Sequence, residues 1–369
     1  MAVAAGESVV EALRRAGDEG TPVRFRGGGT KLGWAANRGE PEIELSTAGL
    51  DRIVEHNAGD LTAVLEAGVP LARAQATFAE AGQMLALDPP DDGATIGGVL
   101  AAGDTGPLRS RYGGVRDLIV GVRVALSDGT VASAGGKVIK NVAGYDLAKL
   151  FAGSMGTLGA ILEVSVRLHP LPPTTATAAG GSRDPVVVAR AVAAVSHAPL
   201  EYQSLDVRWG GGDGAALARF GGAASREQAE AAAGILARAG VEAQVLDDDD
   251  SIWRVQRDGQ RSGDWAVVRI SATQTDLPGL CAAVDSLGAR LVGRAALGLS
   301  WVLLPDRSPE EADAAIETLR RDYPVVVLDA PPGLEADHWG PFDPGARELM
   351  RRVRERFDPA GVCNPGAAP

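Results

Sequence analysis

Arg26-Gly27-Gly28-Gly29-Thr30-Lys31-Leu32-Gly33 follows a short extended run that covers residues 23–26. Because the three successive glycines leave the end of a strand without side chains, their backbone N–H groups can converge on an anion. A second glycine-rich segment, Asp-Pro-Pro-Asp-Asp-Gly-Ala-Thr-Ile-Gly-Gly, covers residues 88–98. Together the two segments predict a cradle for a diphosphate group and a loop that closes over it.

The composition of the chain limits the partners that it can have. The chain has 369 residues, of which 45% are hydrophobic and 23% charged, so two or three packed units are expected. Its net charge of −12 argues against nucleic acid or an anionic membrane surface as the main partner. No run approaches the roughly 20 apolar residues of a membrane span, and residues 1–20 lack a signal-peptide pattern. These features predict a cytoplasmic protein without a transmembrane segment, attached to a membrane only through partners.

Neither the cysteines nor the histidines show the spacing of a metal site. Cys281 and Cys363 are too few for an iron–sulfur cluster or a structural zinc site. An acidic run at residues 247–250 is expected to be a solvated loop, because no regularly spaced oxygen ligands follow it. The histidines are isolated in the sequence and are expected to be surface or structural residues; they are His56, His169, His197 and His338. The sequence therefore predicts no metal site.

Helix and strand patterns alternate over residues 1–173, which we expect to form the first domain. Ser8 caps a predicted helix that ends at Gly17, and a second helix is predicted over residues 71–81. Ser127-Asp128-Gly129 is a hairpin turn signal between two predicted strands. The predicted strands cover residues 23–26, 42–45, 61–67, 117–126, 130–133 and 160–168.

A different order of elements follows the proline-rich end of the first domain. Residues 174–182 are small, polar and flanked by proline, which predicts a linker. Residues 264–328 show the order β, α, β, β, α, β, which is the ferredoxin-like split unit. A partial earlier copy at residues 204–246 is expected to extend the same antiparallel sheet. We therefore predict a ferredoxin-like second domain over residues 174–340 and a segment, 341–369, that returns to the first domain.

Two common nucleotide-binding motifs are incomplete. Gly135-Gly136-Lys137 lacks the serine or threonine at position 138 and the glycine at position 131 that a Walker loop requires. Residues 210–215 match a loose GxGxxA pattern, but a strand-like run follows where a dinucleotide-binding domain has a helix. This stretch predicts a hairpin, so a nicotinamide-binding Rossmann domain is not expected.

Five segments carry a family resemblance; they are Arg26-Gly-Gly-Gly-Thr-Lys31, Thr95-Ile-Gly-Gly98, Arg111-Tyr-Gly113, Lys140-Asn-Val-Ala-Gly-Tyr-Asp-Leu147 and Gly153-Ser-Met-Gly-Thr-Leu-Gly159. Their order resembles that of the PCMH-type FAD-binding domains in the vanillyl-alcohol oxidase superfamily. Residues 357–366 resemble the ending of FAD-linked oxidases of that superfamily. The stretch 136–150 resembles the FAD-binding E subunits of bacterial glycolate oxidases.

The resemblance implies an α+β fold, in which a PCMH-type two-subdomain FAD-binding domain precedes the ferredoxin-like antiparallel α+β domain. It implies bound FAD, with residues 27–31 on the pyrophosphate and residues 95–98 near the flavin. Covalent members of the superfamily carry a histidine where this chain has Thr30, so non-covalent FAD is expected. The implied cofactor-binding residues are Arg26, Gly27, Gly28, Gly29, Thr30, Lys31, Gly33, Pro89, Thr95, Gly97, Gly98, Tyr112, Gly113, Lys140, Asn141, Tyr145, Gly153, Gly156, Thr157, Gly159, Ile161 and Asn364.

The resemblance also implies oxidation of a small 2-hydroxy acid such as glycolate, with electrons passed through FAD to a second flavoprotein subunit and an iron–sulfur subunit. Two alternatives remain open: a stand-alone FAD-dependent oxidoreductase that acts on another hydroxylated small molecule, and a non-catalytic FAD-binding structural subunit. No catalytic base is evident in the sequence, so activity is expected to need the partner subunits. Arg254 and Arg257 are candidates for a cation at the flavin edge, with a solvated helix face as the alternative.

Overall fold

The computed structural model describes residues 8–34, 41–137 and 147–367. The predicted cofactor-binding residues Lys140, Asn141 and Tyr145 lie outside the described residues. Helices and antiparallel sheets occur in both halves of the chain, which confirms the predicted α+β class. No helix of the described ranges has the length and apolar character needed to cross a bilayer.

The first part of the chain contains small sheets and short helices. Its helices are α1 (Val9–Glu19), α2 (Leu71–Ala79), α3 (Ile96–Ala102), α4 (Arg109–Tyr112) and α5 (Val115–Leu118). Its strands are β1 (Val23–Arg26), β2 (Ile43–Ser46), β3 (Ile53–Asn57), β4 (Thr62–Glu66), β5 (Gln83–Met84), β6 (Ile119–Ala125), β7 (Val131–Gly135), β8 (Ala160–Arg167) and β9 (His169–Pro170). β1 and β2 pair in parallel, whereas an antiparallel sheet has the order β3-β4-β8-β6-β7. β5 pairs with β9.

Helix α1 is longer than predicted. Ser8 caps it as expected, in a capping box with Glu11. The predicted end at Gly17 is wrong, because the helix continues to Gly20, which adopts the left-handed conformation with a φ of 68°. Gly17 serves packing instead, since a Cβ there would lie 2.0 Å from the carbonyl oxygen of Ser127.

The hairpin of β6 and β7 is confirmed. Gly129 has a φ of 81°, and the Asp128 carboxylate accepts a hydrogen bond from the backbone N–H of Thr130 at 2.8 Å. The start of the first strand differs from the prediction, because residues 115–118 form a helical turn. The Asp117 carboxylate stabilises this turn, because it accepts a hydrogen bond from the backbone N–H of Gly114 at 2.8 Å.

The second part of the chain forms one antiparallel sheet of eight strands in the order β13-β10-β12-β11-β15-β16-β14-β17. Its strands are β10 (Thr175–Ser182), β11 (Ser204–Gly210), β12 (Asp213–Gly221), β13 (Glu242–Leu246), β14 (Ala266–Ser271), β15 (Arg290–Arg294), β16 (Leu299–Leu304) and β17 (Val325–Asp329). Its helices are α6 (Pro185–Ser196), α7 (Ser225–Arg238), α8 (Asp250–Asp258), α9 (Leu277–Ser286) and α10 (Pro309–Arg320).

The predicted linker at residues 174–182 is wrong, because β10 occupies it and pairs with both β12 and β13. Ala176 and Ala178 of this strand lie in the apolar core, so the strand is buried although its side chains are small. A strand is predicted from alternating hydrophobic and polar residues, and a strand made of small residues does not show that alternation.

With β10 included, the sheet contains two complete ferredoxin-like units. The first is β10-α6-β11-β12-α7-β13 and the second is β14-α9-β15-β16-α10-β17; in each, the fourth strand lies beside the first. The second unit was predicted, but the first is complete and not partial. The two units join where β11 pairs with β15. The predicted hairpin at residues 210–215 is also confirmed, since Gly210 pairs with Asp213.

The two faces of the eight-stranded sheet have different neighbours. One face forms an apolar core with α6, α7, α9 and α10. We call the opposite face the inner face; over the first unit it packs against Trp253 of α8. Over the second unit, Val267, Val292 and Trp301 of the inner face pack against the first part of the chain through Trp34, Ala102 and Met155.

The C-terminal segment contacts the first part of the chain. It contains helix α11 (Pro344–Phe357), whose last residue packs edge-on against Phe151 with 5.7 Å between ring centroids. Beyond the helix, Cys363 forms a parallel bridge with Val23, and the backbone N–H of Asn364 donates to the carbonyl oxygen of Val23 at 2.8 Å. These contacts place residue 364 beside the start of the glycine-rich loop.

Candidate functional site

The two predicted glycine-rich segments contact each other directly. A Cβ at Gly28 would lie 1.9 Å from the carbonyl oxygen of Gly93, and a Cβ at Gly27 would lie 2.2 Å from Thr95 Oγ1. Gly29 has a φ of 78°, a conformation that side chains other than glycine rarely adopt. The glycines are therefore required both for the close approach of the two loops and for the turn itself.

A cavity of about 90 Å³ lies between these loops. Four distant parts of the chain supply its walls: the end of β1 with the following loop, helix α3, the turn at residue 155 and the C-terminal segment. The lining residues are Arg24, Phe25, Gly27, Gly28, Gly29, Thr30, Lys31, Leu32, Trp34, Thr95, Gly98, Ala101, Ala102, Met155, Asn364 and Ala367. Asn364 is fixed there because its side-chain Nδ2 donates to the carbonyl oxygen of Met155.

Neighbouring glycines of α3 have different surroundings. Thr95 is the N-cap residue, and its Oγ1 accepts the backbone N–H of Gly98 at 3.3 Å. A Cβ at Gly97 would lie 2.7 Å from Ala67 Cβ, so Gly97 packs against another loop. Gly98 lines the cavity, and a Cβ there would contact Thr95 Oγ1 alone within 4 Å.

Two polar atoms at the cavity wall are buried without a hydrogen-bond partner among the described residues. They are Nε of Arg24, a donor, and Oδ1 of Asn364, an acceptor. The same guanidinium donates from Nη2 to Glu44 Oε2 at 3.1 Å, so Nε is the part of it that is left for a ligand. Because an unsatisfied buried polar atom is costly, these atoms indicate a polar ligand. A guanidinium suits a phosphate oxygen, and an amide oxygen suits an N–H group of a flat ring. Together with the glycine loop, these residues fit a dinucleotide cofactor such as FAD.

Lys31 and Arg26 are paired with carboxylates of the protein. Lys31 Nζ lies 3.2 Å from Asp104 Oδ2, and the two side chains are only 7% and 3% exposed. Burial raises the pKa of Asp104, and the nearby Lys31 opposes that shift. Arg26 is half-exposed and pairs with Glu44 at 3.1 Å. Both cations are thus next to the predicted site but neutralise carboxylates there.

Several predicted cofactor residues do not line the cavity. Tyr112 accepts a hydrogen bond from Gln203 of the eight-stranded sheet at 3.2 Å. Gly113, which has a φ of 80°, packs against Asp117, and Pro89 is buried in its own loop. Gly33 is exposed, with open space where a Cβ would lie.

In the second predicted glycine cluster, residues 153–161, Met155 lines the cavity and Gly156 packs against two residues of its wall. A Cβ at Gly156 would lie 3.0 Å from Asn364 Nδ2 and 3.1 Å from Phe25 Cδ2, two residues of the cavity wall. The other predicted members have partners elsewhere. Gly153 packs beside Gly103, Thr157 Oγ1 donates to the carbonyl oxygen of Ser154, Gly159 packs against Ala125, and Ile161 lies in the apolar core.

The comparisons with known proteins agree with this geometry. Residues 2–135 match the FAD binding domain family. The first part of this chain therefore contains the stretch that matches an FAD binding domain, and we refer to that part as the FAD-binding domain. The chain is 35% identical over 170 residues to glycolate oxidase subunit GlcE of Escherichia coli K12, which is 45% of this chain and 47% of that protein. It is 35% identical over 164 residues to a D-lactate dehydrogenase of Archaeoglobus fulgidus, which is 44% of this chain and 37% of that protein.

These sequence matches span less than half of the length of the curated relatives. A solved structure extends the likeness to the fold of nearly the whole chain. Alkyldihydroxyacetonephosphate synthase matches with a TM-score of 0.74 and 14% identity, covering 99% of this chain and 75% of that one. The fold of this chain is therefore similar to that structure over nearly its whole length, and at this identity the likeness concerns the fold alone.

Arg261 connects the FAD-binding domain to the eight-stranded sheet, and the sequence patterns did not indicate it. Its Nη2 donates to the carbonyl oxygen of Thr30 at 2.8 Å, and its Nε donates to Asp329 Oδ2 at 2.8 Å. Its guanidinium lies 5.1 Å from the ring centroid of Trp34, whose Nε1 donates to Asp329 Oδ1 at 3.1 Å. The sheet is thereby joined to the glycine loop itself.

The two arginines predicted on α8 have different positions. Arg254 is exposed to solvent and does not line the cavity. Arg257 is half-buried and close enough to Asp88 of the FAD-binding domain to lower the pKa of that carboxyl. The structure therefore brings Arg257 to the junction of the two parts of the chain and leaves Arg254 outside it.

The acidic run at residues 247–250 is not simply a solvated loop, as was predicted. Asp249 is 2% exposed and accepts hydrogen bonds from Thr175 Oγ1 at 3.0 Å and Thr177 Oγ1 at 2.8 Å. Arg219 forms an ion pair with it at 2.8 Å. Asp249 is thus a satisfied structural carboxylate on the inner face.

A second group of charged side chains, two of them fully buried and one half-buried, lies at the junction. We call it the junction group; it consists of Asp88, Asp206 and Arg294, none of which the sequence patterns indicated. Burial raises the pKa of Asp88 to about 7 and that of Asp206 to about 6, and the Arg294 guanidinium opposes both shifts. Because these residues are distant in sequence, only the folded chain brings them together.

Proposed function

We propose that this chain is the FAD-binding subunit of a complex that oxidises a small 2-hydroxy acid such as glycolate. The observation that carries the proposal is the glycine-walled cavity with its unpartnered Arg24 and Asn364 atoms, covered by a sheet that Arg261 joins to the glycine loop. The relatives named above, a glycolate oxidase subunit and a D-lactate dehydrogenase, support a 2-hydroxy acid as the substrate.

In this proposal, bound FAD supplies a two-electron acceptor. The backbone N–H groups of residues 27–30 and the Arg24 guanidinium hold its phosphates, and Asn364 accepts a hydrogen bond from the cofactor. Thr30 stands where covalent relatives carry histidine, so the cofactor is held without a covalent bond at this position. The apolar contacts of Trp34, Ala102 and Met155 with the inner face exclude water from this side of the cavity.

Electrons leave the cofactor through partner subunits, which we propose to be a second flavoprotein and an iron–sulfur protein. The chain has two cysteines, Cys281 and Cys363, too few to ligate an iron–sulfur cluster. Both thiols are buried, and burial raises the pKa of Cys281 to about 12 and also raises that of Cys363. The complex is proposed to work in the cytoplasm, with any attachment to the membrane made by its partners.

The test is to purify the chain alone and together with the two partner proteins. We expect a yellow protein whose flavin is released by acid, and glycolate-dependent reduction of an external acceptor that rises by orders of magnitude when the partners are added. Repeated turnover by the chain alone would favour the stand-alone oxidoreductase. A tightly bound flavin that no 2-hydroxy acid reduces, with or without partners, would favour the structural subunit.

A further inference from the structure

Arg294, at the end of β15, is a fully buried arginine without a hydrogen-bond partner. Its exposure is 0%, and none of Nε, Nη1 and Nη2 has a partner among the described residues. The guanidinium lies over the ring of Trp301, 4.4 Å from its centroid. Stacking satisfies the face of the guanidinium but not its N–H groups, and a buried charge without partners is strongly unfavourable. Three carboxylates, Asp206, Asp88 and Asp104, act on this charge through space, but its N–H groups have no acceptor among the described residues and could donate to an anionic ligand.

Asp206 is the neighbour of Arg294 across the strands. The register that pairs Val207 with Gly293 places Asp206 opposite Arg294 on the inner face. Asp206 is also 0% exposed; its Oδ2 accepts a hydrogen bond from Gln256 Nε2 at 3.1 Å, whereas its Oδ1 has no partner among the described residues. These opposite charges attract each other at a distance but form no direct hydrogen bond, so each retains capacity for a ligand.

The charges around the junction group favour an anionic ligand. Two further carboxylates act on Arg294, Asp88 and Asp104. Six cationic side chains act on this group or on the neighbouring Asp104; they are Arg294 of β15, Arg269 of β14, Arg257 of α8, Arg109 of α4, Lys31 of the glycine loop and Arg261 after α8. The carboxylates near them are Asp88, Asp104 and Asp206, together with Asp91 and Asp329, which pair with Arg261, so these described side chains leave a positive excess of one even when every carboxylate is ionised.

The junction group is next to the proposed FAD cavity. Trp301, on which Arg294 stacks, belongs to the same apolar contact layer as Trp34, Ala102 and Met155, and these three residues line the cavity. The side chain of Trp301 would thus lie between a ligand held by Arg294 and the wall of the proposed FAD cavity. This is the place for a small substrate in an enzyme whose cofactor occupies the cavity.

We propose that Arg294 binds the carboxylate of a small 2-hydroxy acid and that Asp206 Oδ1 accepts a hydrogen bond from its hydroxyl group. The choice of a hydroxy acid rests on the proposed function, whereas the carboxylate site rests on the junction group itself. A guanidinium matches a carboxylate with two parallel N–H···O bonds, and a carboxylate oxygen without a donor suits a hydroxyl group. Because both residues are fully buried, the ligand enters when the junction between sheet and FAD-binding domain opens.

The test measures binding to the flavin-loaded protein with its flavin chemically reduced, so that no substrate is oxidised. Tryptophan fluorescence and the thermal unfolding temperature are followed with glycolate, acetate and glycolamide. Glycolate should bind about tenfold more tightly than acetate, because acetate lacks the hydroxyl group that Asp206 accepts. Glycolamide, which has no charge, should bind at least about 100-fold more weakly than glycolate. Equal binding of all three, or binding of none, overturns the proposal.

Substitutions at Arg294 and Asp206 test whether these two residues form the site. Arg294→Met should weaken glycolate binding by about 100-fold, and Arg294→Lys by about tenfold, because lysine keeps the charge but not the planar fork. The matched control is Arg290→Met, on the same strand but exposed, which should leave binding unchanged. Asp206→Leu, which is close to aspartate in size and has no acceptor, should remove the preference for glycolate over acetate while acetate still binds. Unchanged glycolate affinity in a folded Arg294→Met protein would refute the assignment.

Failure of the site and failure of the proposed function give different results. If glycolate binds through Arg294 but no 2-hydroxy acid reduces the flavin, the carboxylate site stands and the proposed oxidation is wrong. If glycolate reduces the flavin equally well in wild type and Arg294→Met, the oxidation stands and the site assignment is wrong. Ligand-free stability gives a third readout: a large fall in unfolding temperature for Arg294→Met with unchanged affinity identifies Arg294 as a structural counter-ion and overturns the proposal.

Discussion

The two ferredoxin-like units carry similar charged groups on the inner face but satisfy them differently. In the first unit, Arg219 pairs with Asp249 at 2.8 Å and lies 6.0 Å from the ring centroid of Trp253 in α8. The Trp253 Nε1 group donates to Thr177 Oγ1 at 2.8 Å, which completes the network. In the second unit, Arg294 lies over Trp301, but its N–H groups have no partner among the described residues.

The difference separates a structural group from a binding group. An arginine, an aspartate and a tryptophan meet beside the inner face in both places, so the residue types alone do not distinguish the two roles. Asp249 and Trp253 come from the start of α8, whereas Asp206 comes from β11 and Trp301 from β16. The first unit is covered by its own helix, which closes the network, whereas the second is covered by the FAD-binding domain, which leaves it open. A buried polar group without a hydrogen-bond partner destabilises the folded protein. The unpartnered N–H groups of Arg294 therefore indicate that a ligand binds there.

We expect the largest effect on the free energy of unfolding when each of the two arginines, Arg219 and Arg294, is replaced in the ligand-free protein. Arg219→Met should lower the free energy of unfolding by about 4 kcal/mol, because it leaves the buried Asp249 without its counter-ion. Arg294→Met should lower it by less than Arg219→Met does, because no hydrogen bond is lost and because Asp88 and Asp206, whose pKa values burial raises to about 7 and about 6, can take up protons when the cation is removed. Urea unfolding of both variants and wild type measures the difference. Equal losses would remove the distinction between the two units.

The pH should affect the stability of the protein through Asp88, which lies beside the second ferredoxin-like unit. Burial raises the pKa of Asp88 to about 7 in the folded state, so above its unfolded pKa near 4 the folded protein binds more protons than the unfolded one. Stability therefore falls as the pH rises from about 4 to about 7, and then levels off. Asp88→Asn keeps an acceptor for the backbone N–H of Leu108, 3.1 Å from Oδ1, but removes the titration.

Between pH 5 and pH 8, the share of Asp88 in this loss is about 3 kcal/mol. The measurement is the free energy of urea unfolding of wild type and Asp88→Asn across that range. The variant should show a smaller decline with pH than wild type. Parallel curves for the two proteins would mean that Asp88 is not the titrating group.

A smaller effect is expected at the cofactor cavity next to the open unit. Gly98→Leu places a side chain in the cavity, where a Cβ meets only Thr95 Oγ1, at 3.2 Å, and should weaken FAD binding at least about tenfold. Gly97→Ala is the matched control; its Cβ would lie 2.7 Å from Ala67 Cβ, so it should lower stability more than FAD affinity. Gly28→Val is a poorer test, because its side chain would collide with the Gly93 carbonyl group.

Cofactor content and urea unfolding of the Gly98→Leu and Gly97→Ala proteins distinguish these effects. If Gly98→Leu retains the wild-type amount of FAD with wild-type affinity, the cofactor does not occupy the cavity. The difference between the two units would then have no connection with a cofactor in this cavity.

The smallest effect concerns backbone motion after FAD is removed. Amide hydrogen exchange should increase a few-fold in β14 and β16, which lie under the FAD-binding domain, and remain unchanged in β10 and β12, which lie under α8. Mass spectrometry of exchanged peptides from the loaded and stripped protein measures this contrast. A uniform increase over the whole sheet would show that α8 does not isolate the first unit.

Local signals in the sequence were sufficient for the parts of the fold built by neighbouring residues. The glycine segments, the turn at residues 127–129 and the second ferredoxin-like unit were predicted because each depends on glycine conformation or on hydrophobic periodicity over a short stretch. β10 was missed because its alanines and glycines lack that periodicity. Helix α1 was predicted too short because Gly17 was taken as a terminator and is a packing residue.

The side chains that join the two parts of the chain could not be predicted. Arg261 binds Thr30 across 231 positions of sequence, and Asp88 acts on Arg294 only because the sheet and the FAD-binding domain meet. Such a contact leaves no local pattern, since it depends on the three-dimensional position of both elements. Among the predicted cofactor residues, the structure groups residues 27–31 with Thr95, Gly98 and Asn364 around the cavity, and the others lie elsewhere or outside the described residues.

The contact of Asn364 with the glycine loop has a consequence for biosynthesis. A ribosome makes the chain from its N-terminus, so the strand that ends in the glycine loop and the whole eight-stranded sheet emerge before Asn364 does. Until residue 364 reaches Val23 and Met155, the pocket lacks one wall and the hydrogen-bond acceptor that this wall carries. With FAD in the position proposed above, we expect flavin to be loaded late in the synthesis of the chain, and a chain that stalls before residue 364 to lack its cofactor.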